Sequence, residues 1–234
     1  MRYILFLTIL IGCKQPQSQP CDDHYIKGHN YALNFDFVNA DNELDSAIRQ
    51  SPNNAFAYYD KGSVALLNGK FDKALKEYDS AIASKPDFVF GYFHRATVYA
   101  IMGEHKMAIE DLNKVINLKP EFFYSYYTRG VYLHALGDIA ASIADFTKSI
   151  ELNPQYGNAY YYRGVFNIEL KNYQVALVDL TKSIELNTDN VAANTYKGYC
   201  EYMLGEKDKA CADFNRGKEL GDSKANFYID KYCK

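Results

Sequence analysis

The chain has 234 residues, of which 48% are hydrophobic and 24% charged, and its formal net charge is −3 at pH 7. That balance excludes a polytopic membrane protein and a disordered chain. Without a basic excess there is nothing to neutralise a phosphate backbone, which argues against a dedicated nucleic-acid binder.

The first twenty residues read as an address. Met1-Arg2 is a short positive start, and the run YILFLTILI from Tyr3 to Ile11 is almost wholly apolar. A membrane span needs roughly 18 to 20 such residues, so this run has the length of a signal-peptide core. The following Leu10-Ile11-Gly12-Cys13 resembles the bacterial lipobox. The resemblance implies a signal peptide over 1–12 and a mature N-terminus at Cys13, which would carry a diacylglycerol thioether and an acylated amine. Several acyl chains on one residue anchor firmly, at about 0.8 kcal/mol per buried methylene. Lys14 to Pro20 has no apolar residue outside proline, so 13–20 is expected to be an extended, solvated tether.

From Cys21 the chain repeats every 34 residues, in blocks 21–54, 55–88, 89–122, 123–156, 157–190 and 191–224, with 225–234 left over. Position 8 is small in every block: Gly28, Gly62, Ala96, Gly130, Gly164, Gly198. Position 20 is small as well: Ala40, Ala74, Ala108, Ser142, Ala176, Ala210. Position 24 is large: Leu44, Tyr78, Leu112, Phe146, Leu180, Phe214. Glycine recurs at position 15 (Gly69, Gly103, Gly137, Gly205) and proline at position 32 (Pro52, Pro86, Pro120, Pro154). These columns predict two helices per block. The small residues let the backbones approach, and the large one fills the remaining space. Glycine suits the left-handed end of the first helix. Proline stops the second helix, and Asn53 or Asp87 is placed to cap the next. Such a hairpin cannot bury its apolar face alone and must stack.

Two charged columns run through the blocks. Position 7 is always basic (Lys27, Lys61, Arg95, Arg129, Arg163, Lys197), and position 23 is always acidic (Glu43, Glu77, Asp111, Asp145, Asp179, Asp213). Their fixed offset predicts repeated interhelical ion pairs that hold registry. Position 5 is aromatic in five of six blocks (Tyr25, Tyr59, Phe93, Tyr127, Tyr161, then Thr195). Position 4 is aromatic in the middle blocks (Tyr58, Tyr92, Tyr126, Tyr160), and position 2 adds Phe56, Phe90 and Tyr124. Exposed aromatic rows serve recognition, whereas buried ones are core, and the column alone leaves both readings open.

The pattern, as in YYDKGSVALLNGKFDKALKEYDSAIASKP and YYTRGVYLHALGDIAASIADFTKSIELNP, resembles the tetratricopeptide repeat over residues 21–224. It departs at Phe35, Lys171, Thr188 and Asp222. The resemblance implies an all-α, right-handed solenoid of six helix hairpins with a C-terminal cap helix over 225–234. It also implies that position 5 faces a concave groove, while position 4 packs between repeats. The expected partner-binding groove is then Phe56, Tyr59, Phe90, Phe93, Tyr124, Tyr127 and Tyr161. Repeats that clamp a carboxylate use Lys, Asn and Arg there, so that activity does not carry over.

Cys200, Cys211 and Cys233 cluster near the C-terminus, in a chain whose leader implies an oxidising compartment. The ending KACADFNRGKELG…YIDKYC resembles the last repeat of small repeat lipoproteins from Bacteroidetes-type bacteria. That resemblance implies a Cys211–Cys233 disulfide that staples the cap, with Cys200–Cys211 as the competing pairing. No GxSxG, HExxH or GxxxxGKS motif occurs. The histidines His24, His29, His94, His105 and His134 lack metal-ligand spacing, and they are expected as surface or groove side chains. The expectation is therefore a non-enzyme without metal or cofactor: a scaffold on the bacterial envelope. Its location would be the outer membrane facing the periplasm, its membrane contact would be through lipid alone, and it would hold a segment of an envelope protein. The alternative is a glycan or peptidoglycan binder that stacks sugars on the same tyrosines. Positions 9 and 12 are often apolar (Leu66, Val131, Val165, Ile168), which favours peptide.

Overall fold

A computed structural model of the chain describes residues 23–186 and 190–234. The expected signal segment, the lipid-bearing Cys13, the tether, Cys21 and Thr188 lie outside the described residues. Among those residues there are thirteen α-helices and no strand. They run as α1 Asp23–Leu33, α2 Phe37–Gln50, α3 Ala55–Leu67, α4 Phe71–Ser84, α5 Val89–Ile101 and α6 His105–Leu118. They continue as α7 Phe123–Ala135, α8 Ile139–Leu152, α9 Gly157–Glu169, α10 Tyr173–Glu185, α11 Ala193–Met203, α12 Lys207–Glu219 and α13 Ala225–Tyr232. Consecutive pairs pack as hairpins, and in the middle blocks the first helix starts on the first residue of the 34-residue block. The chain forms two compact units: one ends at Pro120 and holds α1 to α6, and the other runs from Glu121 to Lys234 and holds α7 to α13.

Each hairpin closes on the three packing columns. All six residues at position 20 and all six at position 24 are fully buried. A Cβ added to Gly62 would lie 2.7 Å from Tyr78 Cε1, and one added to Gly164 would lie 3.0 Å from Leu180 Cγ. A bare backbone at position 8 is therefore what admits the large side chain at position 24 of the same hairpin.

The turns follow the same logic. Gly69, Gly103, Gly137 and Gly205 have φ between +69° and +88°, the left-handed region where glycine has no steric cost. Phe35 and Lys171 occupy the same turn position and adopt the same region, at φ 60° and 61°. The turn geometry is thus imposed by the packed hairpin even where the residue disfavours it. At the other end, the residues before the four prolines (Ser51, Lys85, Lys119, Asn153) are held extended at φ −132° to −144° and ψ 76° to 91°. Proline forbids the helical conformation to its predecessor, so these helices end there. Without proline, α10 and α12 stop at Glu185 and Glu219, one repeat position earlier.

The capping expectation needs correction. Asn54, not Asn53, caps α3, its side chain accepting from the backbone N–H groups of Phe56 and Ala57. Asp87 caps nothing, because the N-cap of α5 is Phe88, which has no side-chain cap bond. Asp36 and Asp138 cap α2 and α8.

At the C-terminus, Cys211 of α12 and Cys233 just after α13 form a disulfide with S–S 1.99 Å. Cys200 is a buried free thiol, and burial pushes its pKa up to about 12. The disulfide and the rings Tyr199, Tyr202, Phe214, Tyr228 and Tyr232 fix α13 to the last hairpin.

Candidate functional site

The charged columns are structural. Arg95, Arg129 and Arg163 each donate two hydrogen bonds, through Nε and NH2, to the position-23 carboxylates Asp111, Asp145 and Asp179, at 2.6–2.8 Å. Lys61 lies 3.4 Å from Glu77, and Lys197 contacts Asp213. The same basic residue often reaches back to the preceding hairpin: Lys61 to Asp45 at 2.5 Å, Arg95 to Asp79 at 2.6 Å, and Arg163 to Thr147 at 3.1 Å. Each such rung therefore sets the registry of neighbouring repeats. In the first hairpin Glu43 instead pairs with His24 at 2.5 Å. The position-4 tyrosines Tyr92, Tyr126 and Tyr160 lie under the guanidinium of the arginine three residues on, at 5.6–5.8 Å. They shield the ladder.

The aromatic columns meet a third one that the alignment contains but the sequence reading missed. Position 34 is Phe88, Phe122 and Tyr156 in three successive blocks. These residues are the N-caps of α5, α7 and α9, and none has a side-chain cap bond. Where Asn54 caps a helix, Phe88 and Tyr156 instead cover positions 2 and 5 of their own block, and Phe122 packs on Tyr124.

In the N-terminal unit, Phe88 meets Phe56 edge-on at 5.1 Å and Tyr59 at 5.5 Å. Lys85 Nζ lies over the Phe56 and Phe88 rings. Tyr59 and Phe93 are only 5% and 6% exposed, while Phe56 and Phe90 are partly buried. Position 6 closes the cluster from beneath: His94 Nε2 and the Tyr59 hydroxyl are hydrogen-bonded at 3.0 Å. His94 is buried, which corrects the expectation of a surface or groove imidazole, and burial lowers its pKa to about 4. Nearby, His29 Nδ1 contacts the buried Asp60 carboxylate at 2.9 Å. Burial pushes the Asp60 carboxyl up, opposed by His29, whose own imidazole is raised by the contact.

In the C-terminal unit the equivalent cluster is made of tyrosines. Tyr124 and Tyr127 stack at 5.4 Å, and Tyr156 stands edge-on to Tyr127 at 5.0 Å. Burial raises the Tyr156 phenol pKa, and Asn158, Tyr127 and Tyr124 beside its hydroxyl oppose the rise. Tyr162 joins Tyr127 at 5.8 Å, and Tyr161 continues the row to Tyr196 at 6.2 Å. Lys224 Nζ donates to the Tyr196 hydroxyl at 3.2 Å. Tyr124, Tyr127, Tyr156 and Tyr161 are all partly buried, so part of each ring remains open. Desolvation raises the phenol pKa of Tyr124, Tyr127 and Tyr161, keeping these hydroxyls protonated donors at neutral pH.

Among the described residues there is no group of three or more potential metal ligands. No helix among them is long and apolar enough to cross a membrane.

Family models described as tetratricopeptide repeat match residues 43–76, 91–122 and 123–156. Residues 43–76 and 91–156 are thus tetratricopeptide repeats. Among solved structures the chain is similar to MamA, at 25% identity and a TM-score of 0.66 over 74% of this chain and 94% of that one. It is also similar to YrrB, described as a TPR protein with an unusual peptide-binding site, at 18% identity, TM-score 0.69 and coverage of 80% and 97%. The third is PilF of Pseudomonas aeruginosa, at 16% identity, TM-score 0.77 and coverage of 90% and 96%. The latter two carry the fold alone. No curated protein sequence matches the chain. The repeat fold is that of a protein–protein interaction scaffold.

Proposed function

We propose that the protein is a non-catalytic interaction scaffold of the bacterial cell envelope, anchored through lipid on Cys13, which holds an extended or helical segment of another envelope protein against its aromatic columns. The observation that carries the reading is the C-terminal tyrosine set, Tyr124, Tyr127, Tyr156 and Tyr161, which is gathered by the repeat and left partly open. Tyrosine offers a large contact area at low entropic cost, and its hydroxyl can bond a partner backbone. In the N-terminal unit, taken by itself, Phe56 and Phe90 are the partly buried aromatics, while Tyr59 and Phe93 are enclosed. Val131, Val165 and Ile168 beside the tyrosines suit apolar side chains better than a sugar. YrrB offers the precedent of a peptide-binding member of the fold.

The test is capture from envelope extract by the mature lipid-free domain, with a Tyr124→Ala, Tyr127→Ala, Tyr161→Ala variant of verified helicity as control. Bound proteins and glycan fragments are both read by mass spectrometry. A protein lost only with the variant supports the scaffold. A glycan lost instead favours the sugar-binding alternative, and identical profiles reject the tyrosine set as the site.

A further inference from the structure

The α1–α2 turn differs from the other five turns. Four carry glycine at position 15, and a fifth carries the polar, exposed Lys171. Here the residue is Phe35, held at φ 60° and 52% exposed. A bulky aromatic in the left-handed region is disfavoured. Three residues on, Val38 is 73% exposed, the highest value among the exposed large hydrophobics described. The equivalent residues in the other hairpins are Asp72, Lys106, Ala140, Gln174 and Asp208. Tyr31 is 38% exposed, and Phe37 packs edge-on to Phe35 at 5.9 Å. Residues 31–38 contain one charged side chain, Asp36, which is committed to capping α2 through the Asn39 backbone at 3.2 Å and the Asn39 amide at 2.7 Å. Apolar side chains are thus gathered on one turn at the expense of backbone comfort and solubility, a pattern that indicates a contact.

We propose that this turn seats the N-terminal unit on a lipid surface. The inference rests on the reading of Cys13 as a lipid anchor. Only nine residues lie between Cys13 and Asp23, the first residue of α1, and at full extension the ten steps from one to the other reach about 35 Å. The α1–α2 hairpin is the part of the described structure nearest the anchor in sequence, so its turn lies within the tether's range of the bilayer. Tyr31, Phe35 and Phe37 are the side-chain types that settle at the interface between headgroups and acyl chains. The anchor would supply affinity, and the turn would supply orientation.

The experiment uses the full lipidated chain in vesicles of phosphatidylethanolamine and phosphatidylglycerol. An environment-sensitive fluorophore is attached at Asn34→Cys, with Lys218→Cys in the other unit as the reference position, both in a Cys21→Ser background; Cys200 is buried and takes no label. The expected result is a blue-shifted label at 34, quenched severalfold more by lipid-borne spin labels than the label at 218. Phe35→Gly with Val38→Asp should abolish that difference while flotation with vesicles is retained. Phe35→Gly alone should raise the melting temperature, which separates seating from folding. A chain that floats while the label at 34 stays in water overturns the proposal and leaves the anchor standing. A chain that does not float overturns both. A blue shift without lipid quenching also overturns it, because a second copy or another protein then covers the turn.

Discussion

In the N-terminal unit Tyr59 and Phe93 are almost wholly enclosed, whereas Tyr127 and Tyr161, at the same repeat position in the C-terminal unit, remain partly open. The difference does not come from the column itself, which is aromatic in both. It follows from the neighbours: Phe88 and His94 close over and under Tyr59, while Tyr156 and Tyr162 stand edge-on to Tyr127. The same repeat position is therefore enclosed core at Tyr59 and Phe93 and partly open at Tyr127 and Tyr161. For Tyr59 and Tyr127 the residues at positions 34 and 6 differ: Phe88 and His94 against Tyr156 and Tyr162.

The largest expected effect separates the units by stability. Phe93→Ala should cost about 3–5 kcal/mol in chemical denaturation, as for a buried aromatic. Tyr161→Ala should cost about 1 kcal/mol and show itself in partner capture instead. Equal costs would remove the distinction.

The second effect is acid sensitivity in the N-terminal unit. His94 is neutral and buried, with its folded pKa near 4 against 6.5 when exposed. Below pH 6.5 the unfolded chain binds more protons, so stability falls from there down to about pH 4. The loss from this group is about 3 kcal/mol. His94→Leu should flatten the pH dependence of the denaturation midpoint by that amount relative to the parent. Matching pH profiles would show that the imidazole is not enclosed.

The hairpin interiors sharpen the comparison further. Gly130→Leu should cost about 1–3 kcal/mol by overpacking. Gly62→Leu should sit at the upper end of that range, because its Cβ would lie 2.7 Å from the Tyr78 ring, against 3.2 Å from Phe146 for Gly130. Thermal melts in the reverse order would contradict the packing described. The smallest effect is a gain: Lys171→Gly should stabilise by about 1 kcal/mol, since it relieves a left-handed backbone on an exposed side chain. A lower melting temperature for that variant would show that Lys171 makes a compensating contact.

The period of 34 made the fold legible, because positions 8, 20 and 24 need particular sizes wherever two helices cross closely. The left-handed turn was legible through its glycines, and the structure extends it to Phe35 and Lys171, where local preference yields to the hairpin. The caps were misread by one position because Asn53 and Asn54 are adjacent and only one has the cap geometry. The candidate site was half legible. Positions 2 and 5 stood out, but their exposure depends on residues that close over them, and the ring column at Phe88, Phe122 and Tyr156 was visible in the same alignment and not read. His94 gave no local signal, since its burial arises from packing against Tyr59, Tyr78 and Phe93.

The central claim is that the open tyrosines of the C-terminal unit hold a partner segment. The most direct measurement is photo-crosslinking in cells from position 158, two residues after Tyr156, with the exposed Ala144 on α8 as reference. The account predicts one discrete protein adduct from position 158, none from 144, and its loss when Tyr124 and Tyr161 are replaced by alanine. An adduct that survives those replacements, or one that forms from 144 and not from 158, would contradict it.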